Sequence, residues 1–492
     1  MSTRRASRAR GPLALALALA AATPLAAQRV PVQPASVDRA VVPPVGPTPA
    51  LRVPAWTTTR LSNGAQLVIS PRHDLPLISF SISWVGGADQ YEPADKTGLA
   101  QVTAAMLTEG TTHRSGDQLS NDLQLLGTTV NTGIGGESGA MRFLSMKNRF
   151  APTLAILEDM LVNPTFPESA LERLRARYLV MLAQQKDRTS FLADRVFPKV
   201  LYGTAHPYGR SLTEASLKAI TRGDVVAFHD AFFTPAHAII TVVGDVDPAA
   251  VRATIERELI APWKAAGSMP AFSYPALPAP KPTTIYLVDK PGAAQSTFAI
   301  GLPGPPRDTP DYYALQVLNT ILGDQFQSRL NADIRERKGY SYGVRSAFDF
   351  GKGPGAFEAG GDIAGAKTDS ALIEFMTQLR GIRGAIPVTD QELQTAQDLL
   401  VQGLPARFAS VASVNQAVTQ LYLDDLPADY YQRFADQVRA VTKTDLQRVA
   451  DRYIDVDHLA IVIVGDRKSI EAPLKATAIR IEVLDVEGNP VK

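Results

Sequence analysis

The sequence predicts an α+β fold made of two homologous domains, each a mainly antiparallel sheet packed with helices. Three observations carry that expectation. Phe228 to Asp245 and Ala450 to Asp466 repeat one pattern at half-chain distance: a helix end, a turn, then a β-branched strand closing in Gly-Asp. Strand and helix patterns mix within each half without strict βαβ alternation. A Pro-rich stretch over 262–283, with Pro270, Pro275, Pro278 and Pro280, separates two parts of similar length.

In chain order, residues 1–27 read as a secretion signal. Arg4, Arg5, Arg8 and Arg10 precede the Leu/Ala-rich run Pro12 to Ala22, and small residues follow at Ala26 and Ala27. The run is too short to span a bilayer, and no second long apolar run occurs, so the mature chain is expected without a transmembrane segment and in the periplasm or secreted. Residues 28–50 read as a Pro-rich linker. The N-terminal domain is expected over 51–261, the second linker over 262–283 and the C-terminal domain over 284–492. Within the first half, Leu67 to Ser70 and Leu77 to Val85 read as strands, the second alternating at period two. Gly98 to Glu109 reads as a helix closed by Gly110, and Ser169 to Asp187 as a helix with Leu171, Leu174, Tyr178, Leu179 and Leu182 at helical spacing. Ile479 to Leu484 reads as a strand.

Composition narrows the function classes. The 492 residues are 45% hydrophobic and 20% charged, and the net charge of +1 offers no basic field for nucleic acid. The absence of cysteine excludes disulfides and thiolate zinc sites, and no cysteine-acylated lipid anchor is expected. The six histidines, His73, His113, His206, His229, His237 and His458, include no pair three or four apart, so each is expected at the surface or in a cap.

Two separated motifs carry chemistry. Gly98 to Thr111 holds Gln101, Val102, Thr103, Ala104 and Ala105 on a helical frame. Ile321 to Val344 holds Ser328-Arg-Leu, Ile334-Arg335-Glu336 and Gly339-Tyr-Ser-Tyr342. Together with Leu201 to Gly209 and both Gly-Asp strands, these resemble the pitrilysin/insulinase-type zinc peptidases over residues 57–467. The family carries H-x-x-E-H on the first helix. Here its positions read Gln101, Ala104 and Ala105, and the stretch where the third ligand falls, Met181 to Gln184, has no carboxylate. The resemblance therefore implies no metal and no cofactor in this chain.

It also implies that Arg335 and Tyr342, seven apart, bind the substrate backbone and help stabilise the tetrahedral intermediate. Guanidinium and phenol groups both donate to a carbonyl gaining negative charge. Spacing alone gives a different reading: Arg335, Arg337 and Lys338 suit the end of a helix stopped by Gly339, and Tyr342 alternates with Val344, Ser346 and Phe348 as a core residue. The Gly-rich stretch Gly351 to Gly361 lacks the spacing of a phosphate loop and reads as a turn between strands.

The resemblance implies the non-catalytic subunit of a heterodimeric zinc metallopeptidase, forming half of a clamshell. The zinc is expected in a homologous partner carrying H-x-x-E-H, and the substrates are peptides or unfolded polypeptides. Two rivals use the same fold: an assembly or peptide-binding protein with no role in catalysis, and a homodimeric peptide-capture protein.

Overall fold

A computed structural model describes residues 51–264 and 270–491, so the expected signal and the first linker lie outside it. Among the described residues, twelve strands form two six-stranded sheets. The first holds β1 (Thr57–Arg60), β2 (Gln66–Pro71), β3 (Leu77–Val85), β4 (Asn131–Ile134), β5 (Ser138–Met146) and β6 (Ala238–Gly244), in the order β1-β2-β6-β3-β5-β4. The second holds β7 (Thr284–Asp289), β8 (Gln295–Pro303), β9 (Ser341–Phe348), β10 (Ala356–Ala364), β11 (Ala460–Gly465) and β12 (Arg480–Leu484), in the order β12-β7-β11-β8-β10-β9.

The orders superimpose position by position. Both Gly-Asp strands, β6 and β11, lie third, parallel to β2 and β7 and antiparallel to β3 and β8. The repeat read from sequence is thus a repeat of sheets, and the α+β class holds. The halves differ at one edge: β1 is antiparallel to β2, whereas β12 arrives from the C-terminus parallel to β7.

Strand β3 shows how pattern becomes core. Phe80, Ile82 and Trp84 are fully buried on one face, and Ser79, Ser81 and Ser83 occupy the other. Trp84 packs edge-on to Phe233 at 4.9 Å and to Trp263 at 6.0 Å, and its indole N–H donates to the Thr234 carbonyl at 3.0 Å. Trp84→Ala is expected to cost about 3–5 kcal/mol, read as a lowered urea midpoint of the N-terminal core.

Four helices matter for function: α1 (Leu99–Met106), α2 (Glu168–Gln185), α3 (Thr189–Tyr202) and α4 (Val411–Leu423). The last two are exchanged between the halves. Helix α3, from the first half, lays Leu192, Val196 and Phe197 against Tyr286, Val288, Val462 and Val464 of the second sheet. Helix α4, from the second half, crosses β3 and β6 of the first. Residues 51–264 and 270–491 therefore interlock. Within the described residues, no helix is long and apolar enough to cross a membrane.

Residues 270–283 form no helix or strand, but they are anchored. The Tyr274 hydroxyl donates to Glu137 at 2.8 Å, its ring stacks on His206 at 5.4 Å, and Gln90 donates to the Pro270 carbonyl at 2.6 Å.

Candidate functional site

Helix α1 stops earlier than its pattern predicts. The Thr108 hydroxyl donates to the Ala105 carbonyl at 2.9 Å, which diverts the last turn, and the helix ends at Met106. Gly110 is therefore no helix cap; it bridges to Ser115. The faces fall as expected: Leu99, Val102, Met106 and Leu107 are buried, while Gln101 is exposed and Ala105 half-buried. Ala104 is 2% exposed, and its carbonyl accepts from Thr132 of β4 at 2.8 Å.

The expected third-ligand stretch lies on α2, where Met181 is exposed. A carboxamide, two methyl groups and a thioether are not a zinc donor set, which needs imidazole, carboxylate or thiolate. Among the described residues no cluster of His, Asp and Glu could hold a metal ion.

The other pair sits beside β9, the edge of the second sheet that matches β4 in the first. Arg335 lies in a wide helical turn, Ala332–Arg337, closed by Gly339 at φ +66°. Tyr342 is 87% exposed, so the core reading from its spacing fails. The cause is a β-bulge. Gly361 pairs with Val344 and Ile363 with Ser341, so Tyr342 and Gly343 together oppose Asp362. The extra residue breaks the alternation and turns the phenol out, while Val344, Ser346 and Phe348 stay buried. Ser341 fixes the bulge by donating to the Asp362 carbonyl at 2.6 Å and accepting from the Gly343 N–H at 3.0 Å.

Arg335 and Tyr342 are in contact. The guanidinium carbon lies 4.9 Å from the Tyr342 ring centre and 4.7 Å from that of Phe326, so the cation stands between two exposed aromatic faces. Glu336 pairs with Arg335 Nε at 3.0 Å. Phe326 escaped the sequence reading; its only signal is an aromatic residue set between Gln325 and Gln327 in a turn.

Only the first part of the Gly-rich stretch, Gly351 to Gly355, lies in the turn joining β9 to β10, because Ala356 to Gly361 already pair within β10; the turn residues also bind across the halves. The Lys352 and Gly353 N–H groups donate to the Glu137 carboxylate of the β4–β5 turn, tying the two halves together. Tyr208 and Tyr274 donate to the same carboxylate. Burial alone raises Glu137, yet these donors leave its pKa below the ordinary glutamate value. Burial first, then the Glu137 charge, pushes Asp89 up to about 6.

Nearby, burial first, then the charges of Asp194 and Asp349, pushes Glu358 of β10 up to about 7. A raised carboxyl stabilises the fold below its ordinary pKa of 4.5, and that contribution is lost as pH rises through 7. Glu358→Gln, always neutral, is therefore expected to melt several degrees above wild type at about pH 8 and level with it at about pH 4.

The histidines are not all superficial. His206 is 1% exposed, with its ring between Tyr202 and Tyr274, because its Nδ1 caps a short turn by accepting from the Tyr208 N–H at 3.2 Å. Burial lowers its pKa. His73, His113 and His458 pair at the surface with Asp245, Asp159 and Asp455.

Residues 81–211 match the insulinase family (peptidase family M16), and residues 219–400 match the domain described as peptidase M16 inactive domain. An uncharacterized zinc protease, YmxG, of Bacillus subtilis is 21% identical over 79% of this chain and 92% of its own length. A protein of Helicobacter pylori named non-peptidase homolog YmxG is 21% identical over 82% of this chain and 92% of its own length. Among solved structures, a peptidase M16 inactive domain from Pseudomonas fluorescens superimposes with a TM-score of 0.76 at 25% identity, covering 83% of this chain and 98% of that one. A protease from Helicobacter pylori shares the fold with a TM-score of 0.73 at 18% identity, covering 84% of this chain and all of that one. With two family matches in chain order on two matching sheets, the chain belongs to the M16 (insulinase) peptidase family.

Proposed function

We propose that this chain is the non-catalytic, substrate-binding subunit of a two-chain periplasmic zinc peptidase that degrades peptides or unfolded polypeptides. One contrast carries the reading. The helix that would hold zinc presents Gln101, Ala104 and Ala105, while Arg335 and Tyr342 stand outward and preorganised beside an open strand edge. A stability role alone gives no reason for a bulge that turns a phenol into solvent.

In this account a homologous subunit carrying H-x-x-E-H closes against this chain as the other half of a clamshell. Zinc bound there would supply an activated water. Arg335 and the Tyr342 hydroxyl donate to the scissile carbonyl as its oxygen gains charge, in a site where the closed halves exclude water. The Phe326 and Tyr342 rings hold the guanidinium plane, so little ordering remains for the moment of reaction.

The test is reconstitution. The chain is purified alone and with an H-x-x-E-H homologue from the same organism, and both are assayed on a quenched-fluorescence peptide library. Cleavage by the pair and none by the chain alone is expected; metal-dependent cleavage by the lone chain refutes the reading. The relative named a non-peptidase homolog supports a second reading, a scaffold without a part in catalysis. Unchanged activity of a pair bearing Arg335→Ala and Tyr342→Phe would favour it.

A further inference from the structure

The two exchanged helices dock in opposite ways. Helix α3 meets its sheet through an apolar stripe, whereas α4 meets hydroxyls. On that face of the first sheet, strand pairing aligns Asn131 of β4, Arg142 of β5, Ser81 of β3 and Thr241 of β6 in one row. Asn415 of α4 pins the inner end. Its Nδ2 donates to the carbonyls of Ser79 at 3.2 Å and Thr241 at 2.9 Å, and its Oδ1 accepts from the Ser81 hydroxyl at 2.8 Å.

Toward β4 the helix and sheet do not close. An open cavity of about 830 Å³ remains, floored by β3, β4 and β5 and walled by Ser413, Gln416 and Gln420. That volume lies within the range of ligand sites.

Two observations say what it takes. Ser79 and Ser83 line the cavity, and their hydroxyls bond no protein group among the described residues but stay open to the cavity. A hydroxyl open to a cavity is free to donate to and accept from a ligand there. Arg142 stands on the floor with no ion pair among the described residues, and no carboxylate lines the cavity. The only charge offered is one guanidinium fork, which matches a carboxylate. Around it, hydroxyls and carboxamides both donate and accept, as a peptide backbone requires.

We propose that this cavity is a second peptide site, separate from Arg335 and Tyr342, which holds an extended chain end with its C-terminal carboxylate on Arg142. The choice of peptide as ligand rests on the function proposed above; the carboxylate preference rests on the cavity. Ser79, Ser81 and Asn131 would bond the last peptide groups, and the rest of the chain would leave along β4.

The experiment measures binding of a short, uncharged, fluorescently labelled peptide to the purified chain by anisotropy, as the free acid and as the C-terminal amide. Wild type is expected to bind the acid roughly tenfold or more tighter than the amide. Arg142→Gln should bring the ratio to about one with unchanged circular dichroism, since Arg142 holds no partner in the fold, and Arg335→Ala should leave the ratio intact. Equal binding of acid and amide by wild type, no saturable binding up to about millimolar peptide, or a ratio that survives Arg142→Gln would each overturn the proposal. A ratio lost only in Arg335→Ala would do so too, by moving the carboxylate to the other site. The function proposed above fails separately, through unchanged turnover of an Arg335→Ala pair.

Discussion

Arg335→Ala is expected to lower the turnover of the reconstituted pair by roughly 100-fold or more, with little change in KM. The group acts on charge that appears only as the carbonyl is attacked, so its loss falls on kcat rather than on ground-state binding. Tyr342→Phe should fall in the same range, because it deletes the hydroxyl and keeps the ring that packs on Arg335. The double variant should lose less than the product of the two, since both groups serve one oxygen through one stack. Tyr342→Phe should not move the melting point appreciably, since Tyr342 is 87% exposed and exposed substitutions usually stay within about 0.5 kcal/mol. Full activity in either single variant would remove these residues from the chemistry.

Rebuilding the metal motif should fail, and at a cost. The triple variant Gln101→His, Ala104→Glu, Ala105→His restores H-x-x-E-H in name only. Two imidazoles then stand on α1, but Met181 to Gln184 on α2 still supplies no carboxylate, one ligand short of a catalytic zinc site. Ala104 is 2% exposed, so a glutamate there must be buried or force α1 away from β4. A loss of about 2–4 kcal/mol is expected in urea unfolding. After dialysis the variant should retain no stoichiometric zinc. Stoichiometric zinc with undiminished stability would mean that the ligand frame is still intact.

Much of this was legible in the sequence, and the reasons for the exceptions are physical. The duplicated sheets could be read because a strand buried on both faces favours a near-continuous β-branched run, and β6 and β11 each carry one between an alanine and the same closing Gly-Asp. The degenerate helix could be read because metal chemistry tolerates few residue types. Tyr342 could not be placed by period, because one bulge residue shifts every side chain before it to the other face. The exchange of α3 and α4 was hidden for another reason. A helical stripe shows that a face is buried, not which sheet buries it, and the partners of Val196 and Asn415 lie far along the chain. The clamp on Glu137 uses backbone N–H groups of the glycine turn, which carry no side-chain signature.

The central claim is that this chain binds the substrate while another subunit holds the metal. Its most direct test is the zinc content of the lone, folded chain after dialysis against metal-free buffer, measured by inductively coupled plasma mass spectrometry. Far less than one zinc per chain is expected, unchanged by prior incubation with excess zinc. One tightly held zinc per chain, lost on mutation of α1 or α2, would contradict it.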